Sequence, residues 1–215
     1  MLKDKKITED YNLTTPKNIK KTFSINFSQE IKLASFLKEL AIYNKHTNLV
    51  GKSTLVNPWN RHILDCIQVS LFIRDKNSAI LDMGTGAGFP GLVLAMIGYK
   101  NVSLVDSNRK KINFIKYVSK KLDINVRIFL SRIEKLKNKK FDFLISRALA
   151  NLNKLFTYSH KFINNETVLI FLKGKTVNNE IGEAKKMWNF CSEIYPSHSN
   201  ESGNVLIIKK LKLKI

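Results

Sequence analysis

Apolar residues along the chain follow two different periods, and the change from one to the other divides it. Residues 1 to about 24 are polar and lysine-rich with no clear period, which predicts a loosely held arm. From Ser28 the apolar positions take helical spacing. Ile31, Ala34, Leu37 and Ala41, with Leu33, Phe36 and Leu40, share a face. Ser28 stands as an N-cap ahead of Gln29 and Glu30, and the helix should run to about Tyr43. Asn57 and Pro58 set an N-cap before a proline at the first helical position. Trp59, Ile63, Ile67 and Leu71 then recur every four residues, a second helix to about Arg74. Beyond it, short apolar runs alternate with amphipathic segments. Ala79–Asp82, Val102–Val105, Val126–Leu130, Phe141–Ile145 and Val168–Leu172 read as buried strands, each followed by a helix. Such alternation implies an α/β, Rossmann-like, mostly parallel sheet with helices on both faces. The end of the chain breaks the pattern. A helix near Asn179–Phe190 precedes strands Ser192–Tyr195 and Val205–Lys209 around the turn-rich HSNESGN, a terminal antiparallel hairpin that brings the sheet to seven strands. Two regions follow: residues 1–75 as an arm with a helical extension, and residues 76–215 as the sheet domain.

Composition narrows the function. A chain of 215 residues, 44% hydrophobic and 25% charged, has a core to bury and lies far from the composition of disordered chains. Its 37 Lys+Arg against 17 Asp+Glu leave +20, which points to an acidic partner, nucleic acid first, because neutralising phosphates releases condensed counterions. Of these cations 31 are Lys and 6 are Arg, and Asn and Ile are abundant, so part of the excess is what an AT-rich genome writes. Cys66 and Cys191 are isolated, and His46, His62, His160 and His198 are scattered, so neither a disulfide framework nor a metal site is expected. The amino terminus lacks an apolar signal core. The apolar stretch 79–99 is interrupted by Asp82 and glycines, so a cytoplasmic protein without a membrane span is expected.

The chemistry concentrates at Asp82-Met83-Gly84-Thr85-Gly86-Ala87-Gly88-Phe89-Pro90-Gly91, where a strand runs into glycines and then a helix. Glycines let the backbone approach a ligand closely, and a helix start offers unpaired N–H groups. A nucleotide-like cofactor is implied, with Asp106 at the end of the next strand placed for ribose hydroxyls. Two cofactors compete. Gly86-x-Gly88-x-x-Gly91 satisfies the dinucleotide fingerprint, whereas Asp82-x-Gly84-x-Gly86-x-Gly88 resembles motif I of S-adenosylmethionine-dependent methyltransferases, in which the acid serves the methionyl moiety. The terminal hairpin favours the second, because the class I methyltransferase sheet ends with an antiparallel strand.

Further strings join it: Asn48-Leu49-Val50, Arg61-His62-Ile63-Leu64-Asp65, Val105-Asp106-Ser107, Ser131-Arg132-Ile133-Glu134, Ile145-Ser146-Arg147-Ala148 and Leu172-Lys173-Gly174. Together they resemble the GidB-type 16S rRNA guanine-N7 methyltransferase family over roughly residues 28–210. The resemblance implies methyl transfer from S-adenosylmethionine to N7 of a guanine in the 530 loop of small-subunit rRNA. By motif, Gly84, Gly86 and Phe89 would line the cofactor loop, Asp106 would meet the ribose, and Ile133 and Glu134 the adenine. Arg147 would face both cofactor and substrate as a positioning group. Cys66, Phe89 and Val93 depart from the residues the family commonly carries, and all three changes are apolar or near-isosteric.

Guanine N7 has a free lone pair and a sulfonium is an activated donor, so no base is required and rate should come from positioning. N7 lies in the major groove, inaccessible in A-form RNA, so the target should be unpaired or turned out. Arg132 and Lys173, also at strand ends, are candidate phosphate clamps. Lys17, Lys20, Lys21, Lys110, Lys111, Lys120, Lys121, and the clusters 135–140 and 209–214 could meet rRNA phosphates. His62 and Asp65 read as a polar pair fixing the second helix, and Phe156, Tyr158, Phe162 and Trp188, at helical positions, as core. The expected partner is small-subunit rRNA or the ribosomal subunit itself, met by a monomer. Three alternatives remain: the same fold acting on another nucleic acid or a protein, an NAD-dependent oxidoreductase, and a non-catalytic basic RNA-binding protein.

Overall fold

The computed structural model describes residues 15–214; most of the expected loose arm, residues 1–14, lies outside the described residues. The rest of that arm is not structureless. Helix α1 (Lys17–Thr22) forms there and buries Ile19, and Ile25 follows it into the interior, so two apolar anchors outweigh the polar texture. Helix α2 (Phe27–Thr47) starts two residues earlier than Ser28 as a cap would have it. Asn26 is the cap: its Oδ1 accepts from the Gln29 N–H at 2.9 Å, and Gln29 Oε1 accepts from the Asn26 N–H at 3.0 Å, a reciprocal capping box. Ile31, expected on the buried face, is 49% exposed. Leu33, Phe36, Leu37 and Leu40 are the residues that turn inward.

The second expected helix exists as a composite, residues 59–72. A wide π-helical stretch (Trp59–Leu64) passes through one α-turn (Asp65–Ile67) into a tight 3-10 stretch (Gln68–Phe72). Changing the residues per turn rotates the apolar stripe. Trp59, Ile63 and Ile67 are buried, whereas Leu71 is 50% exposed and Val69 and Ile73 take its place in the core.

Strands β1 (Ile80–Met83), β2 (Val102–Asp106), β3 (Arg127–Leu130), β4 (Phe143–Arg147), β5 (Val168–Lys173), β6 (Trp188–Pro196) and β7 (Asn204–Leu213) form one sheet, in the order β3-β2-β1-β4-β5-β7-β6. The first five are parallel, and β7 runs antiparallel between β5 and β6. Three sequence expectations shift. β3 is an edge strand with Phe129 and Leu130 exposed, not a buried one, because only β2 flanks it. The helix expected to reach Phe190 ends early, and Trp188 and Phe190 belong to β6, with Trp188 still in the core. Both hairpin strands are longer than their apolar runs.

Helices α3 (Gly91–Met96) and α4 (Arg109–Lys121) join α1, α2 and the composite helix in one apolar cluster against the sheet. Phe36 of α2 meets Phe89 and Phe114 with ring centroids 5.3 and 6.1 Å apart, so the N-terminal helices share a core with the glycine loop. Helices α5 (Leu152–Ser159) and α6 (Val177–Ala184) cover the opposite face through Leu155, Phe156 and Ile181. Strand order reverses between β1 and β4, and at that point their carboxyl ends leave a crevice.

Candidate active site

The glycine loop leaves β1 and bends over its end. Gly84 and Gly86 have φ of +69° and +60°, which side chains other than glycine rarely adopt. A Cβ on Gly84 would press on Leu149, whereas one on Gly86 would meet only Lys111 Nζ at 3.9 Å, so the backbone there is bare. Asp106 holds this turn from β2: its Oδ2 accepts from the Gly86 N–H at 2.9 Å and its Oδ1 from the Asn108 N–H at 2.8 Å. Each carboxylate oxygen keeps acceptor capacity for a further donor.

Asp82 plays a different part from the one its motif suggested. It is fully buried, and its Oδ2 accepts from the Gly91 N–H at 2.8 Å, bracing the start of α3 under the loop. Its other oxygen is buried without a hydrogen-bond partner. Burial pushes its carboxyl up to about 7, against the pull of the Thr85 side chain first, then of the Gly91 N–H and of Arg147. The N–H groups expected to be open at the helix start are also used internally: Gly91 donates to Asp82, Leu92 to the Gly88 carbonyl, and Phe89 to the Thr85 carbonyl.

Phe89, expected to line the cofactor loop, turns into the protein at 3% exposure. It stacks on His62, with centroids 4.7 Å apart and planes inclined by 14°, and the Arg147 guanidinium lies 4.6 Å from its ring centre. His62 and Asp65 do not pair with each other; both turn to Arg147. Arg147 donates to Asp65 Oδ2 at 3.1 Å, to His62 Nδ1 at 3.3 Å and to the Arg61 carbonyl at 3.2 Å. With Nδ1 accepting, Nε2 carries the proton and donates to Thr54 Oγ1 at 2.8 Å, and Thr54 donates in turn to the Gly51 carbonyl. Burial first, then the charges of Arg147 and Arg61, hold His62 down at about 3, so this chain runs through a neutral imidazole.

Beside Arg147 opens a cavity of about 700 Å³ on the β4–β5 side of the crevice. Its polar lining includes Arg61, His62, Asp65, Arg147, Lys173 and Ser199, and Leu149 lies between it and Gly84. Sequence reasoning missed Thr54, Leu149, Glu180 and Ser199 here, since nothing local marks them. The Asn48-Leu49-Val50 string brings Val50 and Gly51 to the wall. Asn44 exchanges hydrogen bonds with the Val50 backbone at 2.9 and 3.0 Å. Lys173, expected as a phosphate clamp, is instead half-buried in the cavity wall and paired with Glu180 at 2.6 Å, and it also donates to the Ala150 carbonyl. Its charge is answered within the protein.

The β3 end stands on the other side of Asp106. The Ser131 N–H donates to the Asp106 carbonyl at 3.0 Å, which sets Arg132, Ile133 and Glu134 beside Asp106. Ile133 is buried in the second core cluster, while Arg132 and Glu134 are exposed. Gly84, Gly86, Asp106 and Glu134 therefore occupy the β1–β2–β3 half of the crevice and the cavity occupies the other half, with Arg147 between. Among the described residues no group of three or more His, Cys, Asp or Glu could hold a metal ion, and no helix is long and apolar enough to cross a membrane.

Residues 29–205 match the GidB family, described as rRNA small subunit methyltransferase G. The chain belongs to this family. Ribosomal RNA small subunit methyltransferase G of Rickettsia prowazekii is 38% identical over 180 residues, covering 84% of this chain and 93% of that protein. The Caulobacter vibrioides protein of the same name is 39% identical over 184 residues, 83% of this chain and 84% of its own. Among solved structures, ribosomal protein L11 methylase from Lactobacillus delbrueckii subsp. bulgaricus aligns with a TM-score of 0.55 at 16% identity, over 68% of this chain and 76% of that one. M. jannaschii TYW2 in complex with AdoMet aligns at 0.53 and 16%, over 70% and 77%. These two likenesses show the fold, a class I methyltransferase sheet with its terminal hairpin. As a GidB member the chain is a small-subunit rRNA methyltransferase that uses S-adenosylmethionine, and the NAD reading falls. The donor set fits that cofactor: bare left-handed backbone at Gly86 and a carboxylate with spare acceptor capacity at Asp106.

Proposed function

We propose that the chain methylates N7 of a guanine in the 530 loop of small-subunit rRNA, acting in the cytoplasm as a monomer and without a metal. The observation that carries the reading is the placement of Arg147 between the two halves of the crevice, with cofactor-type residues over β1 and β2 and an open cavity beyond it. S-adenosylmethionine, when bound, supplies a methyl group activated by its sulfonium. Gly84, Gly86, Asp106, Ile133 and Glu134 hold it, and Arg147 orients cofactor carboxylate or RNA phosphate.

Guanine N7 needs no deprotonation, and the side chains around the cavity suit that demand: His62 is neutral, buried and committed to Arg147 and Thr54. Positive charge passes to the guanine during transfer, which a naked cation would oppose. The Asp65 carboxylate at 3.1 Å answers Arg147, so the guanidinium can orient without that penalty. A cavity of this size takes a base turned out of its strand, not a duplex. Exposed Arg132 contributes a phosphate contact.

The test is incubation with labelled S-adenosylmethionine and small subunits from cells lacking the enzyme, followed by mapping of the modified nucleotide. Label on guanine N7 in the 530 loop is expected. Label on another atom or in another RNA overturns the specificity while leaving the family.

A further inference from the structure

The turn between β6 and β7, residues 197–203, carries no large apolar side chain that could anchor it, so polar contacts decide where it lies. They reach the composite helix, some 130 residues distant in the chain, at four points. Asn60 Nδ2 donates to the Ser199 carbonyl at 2.9 Å, and Ser199 Oγ donates to Asp65 Oδ1 at 2.8 Å. Gln68 Nε2 donates to Ser197 Oγ at 2.9 Å, and the His198 N–H donates to Gln68 Oε1 at 2.9 Å. The His198 ring adds an edge contact to Phe23. Gln68 and Ser199 are buried, so these bonds are sheltered from water.

Asp65 is the only member of this set that also touches Arg147. One of its oxygens takes Ser199, at 2.8 Å, and the other takes the guanidinium, at 3.1 Å. Ser199, Asn200 and Gly203 line the cavity on the turn's side, and Arg147 through Asn151 line it on the β4 side. Two walls from distant parts of the chain thus meet on one carboxylate.

We propose that Asp65 is a positioning residue for methyl transfer, holding Arg147 and the turn 197–203 in a single arrangement that shapes the substrate side of the crevice. The inference rests on the rRNA-methyltransferase reading above. Asp65 touches neither loop glycines nor Asp106, and the Arg147 that it holds is assigned to the RNA side of the crevice, so loss of Asp65 acts on substrate use and spares cofactor binding.

The experiment is a double-mutant cycle on the full chain with D65A, S199A and the pair, plus S199T as the conservative variant. It measures steady-state methylation of unmodified small subunits, and calorimetry with S-adenosylmethionine, well below each melting temperature. The expected result is a cofactor Kd within about twofold of the parent throughout. In kcat/KM for the subunit, D65A falls tenfold or more and S199A severalfold, S199T recovers, and the pair is no worse than D65A. Parent-like kcat/KM in S199A, multiplying effects in the pair, or an equal loss of cofactor affinity would overturn it. Should D65A fail to fold, D65N keeps an acceptor for Ser199 while losing the charge that holds Arg147. Impaired kcat/KM in D65N with intact cofactor binding then supports the proposal, and parent-like turnover overturns it. If the parent labels a different RNA, the functional reading falls and the same cycle on that RNA decides Asp65; no label in any RNA overturns both.

Discussion

Two buried groups near the loop titrate in opposite senses, and both follow from burial. The Asp82 carboxyl, raised to about 7, keeps its proton in the folded chain where the unfolded chain has lost it. Stability from this group therefore falls as pH rises from about 4 to about 7. His62, lowered to about 3, stays neutral in the fold while the unfolded histidine charges below about 6.5, so its contribution rises with pH from about 3 to 6.5. The two effects oppose each other over most of one window. Urea unfolding across pH should separate them. For Asp82→Asn, the stability of the variant minus that of the parent should increase from pH 4 to 7. For His62→Gln it should decrease from pH 3 to 6.5. Differences that do not vary with pH would show that neither burial effect operates. That an acid and a histidine matter here was readable from two motifs. Their surroundings were not, since the motif drew Asp82 toward the ligand and the fold places it beneath the loop.

At the scale of elements, glycine sets how closely α3 approaches β1 and β2. A Cβ on Gly91 would lie 2.8 Å from both Cβ and Oδ2 of Asp82 and would also strike Leu104. Gly91→Ala should destabilise by about 1–3 kcal/mol through overpacking and should loosen the turn that Asp82 braces. Gly182, in α6, has nothing within 4 Å of its Cβ position, and Gly182→Ala should stabilise by about 0.4–1 kcal/mol by restricting the unfolded chain. Thermal melts of the two variants check both signs. Strand positions were legible because each central strand is a short apolar run buried on both faces. The composite helix was legible as a helix but not in its winding, and its changing turn carries Leu71 outward and leaves His62 and Asp65 both facing Arg147. Residues 188–190 read as helix because Trp188 continues the local spacing. Pairing with β7, whose strand begins at Asn204, claims them for β6.

For the whole molecule, the count of 37 Lys+Arg overstates the cations open to RNA, because some of them face the acids already subtracted in the net +20. Lys20 is bound to Glu30, Lys121 to Glu39 and Lys209 to Glu193 at the surface, and Lys173 to Glu180 in the cavity wall, so several of the expected phosphate contacts already face a carboxylate. Binding to small-subunit RNA should still weaken as salt rises, and the slope of log K against log salt should report which cations count. Arg132→Gln, at the exposed end of β3, should make that slope shallower by about one phosphate contact, whereas Lys121→Gln, committed to Glu39 at 2.7 Å, should leave it unchanged. Filter binding over a salt series measures both, and equal effects would mean that the charge acts without regard to place.

The sequence by itself determined the α/β order, the terminal hairpin, the glycine loop with its distant Asp106, and the family strings, because each is written in neighbouring residues or fixed spacing. It left the second helix as an apolar stripe and His62 with Asp65 as a self-satisfied pair. Only the tertiary structure decided that these two converge on Arg147, that Asp82 is braced within, that Lys173 is neutralised by Glu180, and that a serine 134 positions beyond Asp65 shares its carboxylate. Those outcomes depend on which strand ends meet at the reversal between β1 and β4. They also depend on which polar groups, once buried there, find each other as partners, and no local pattern encodes that choice.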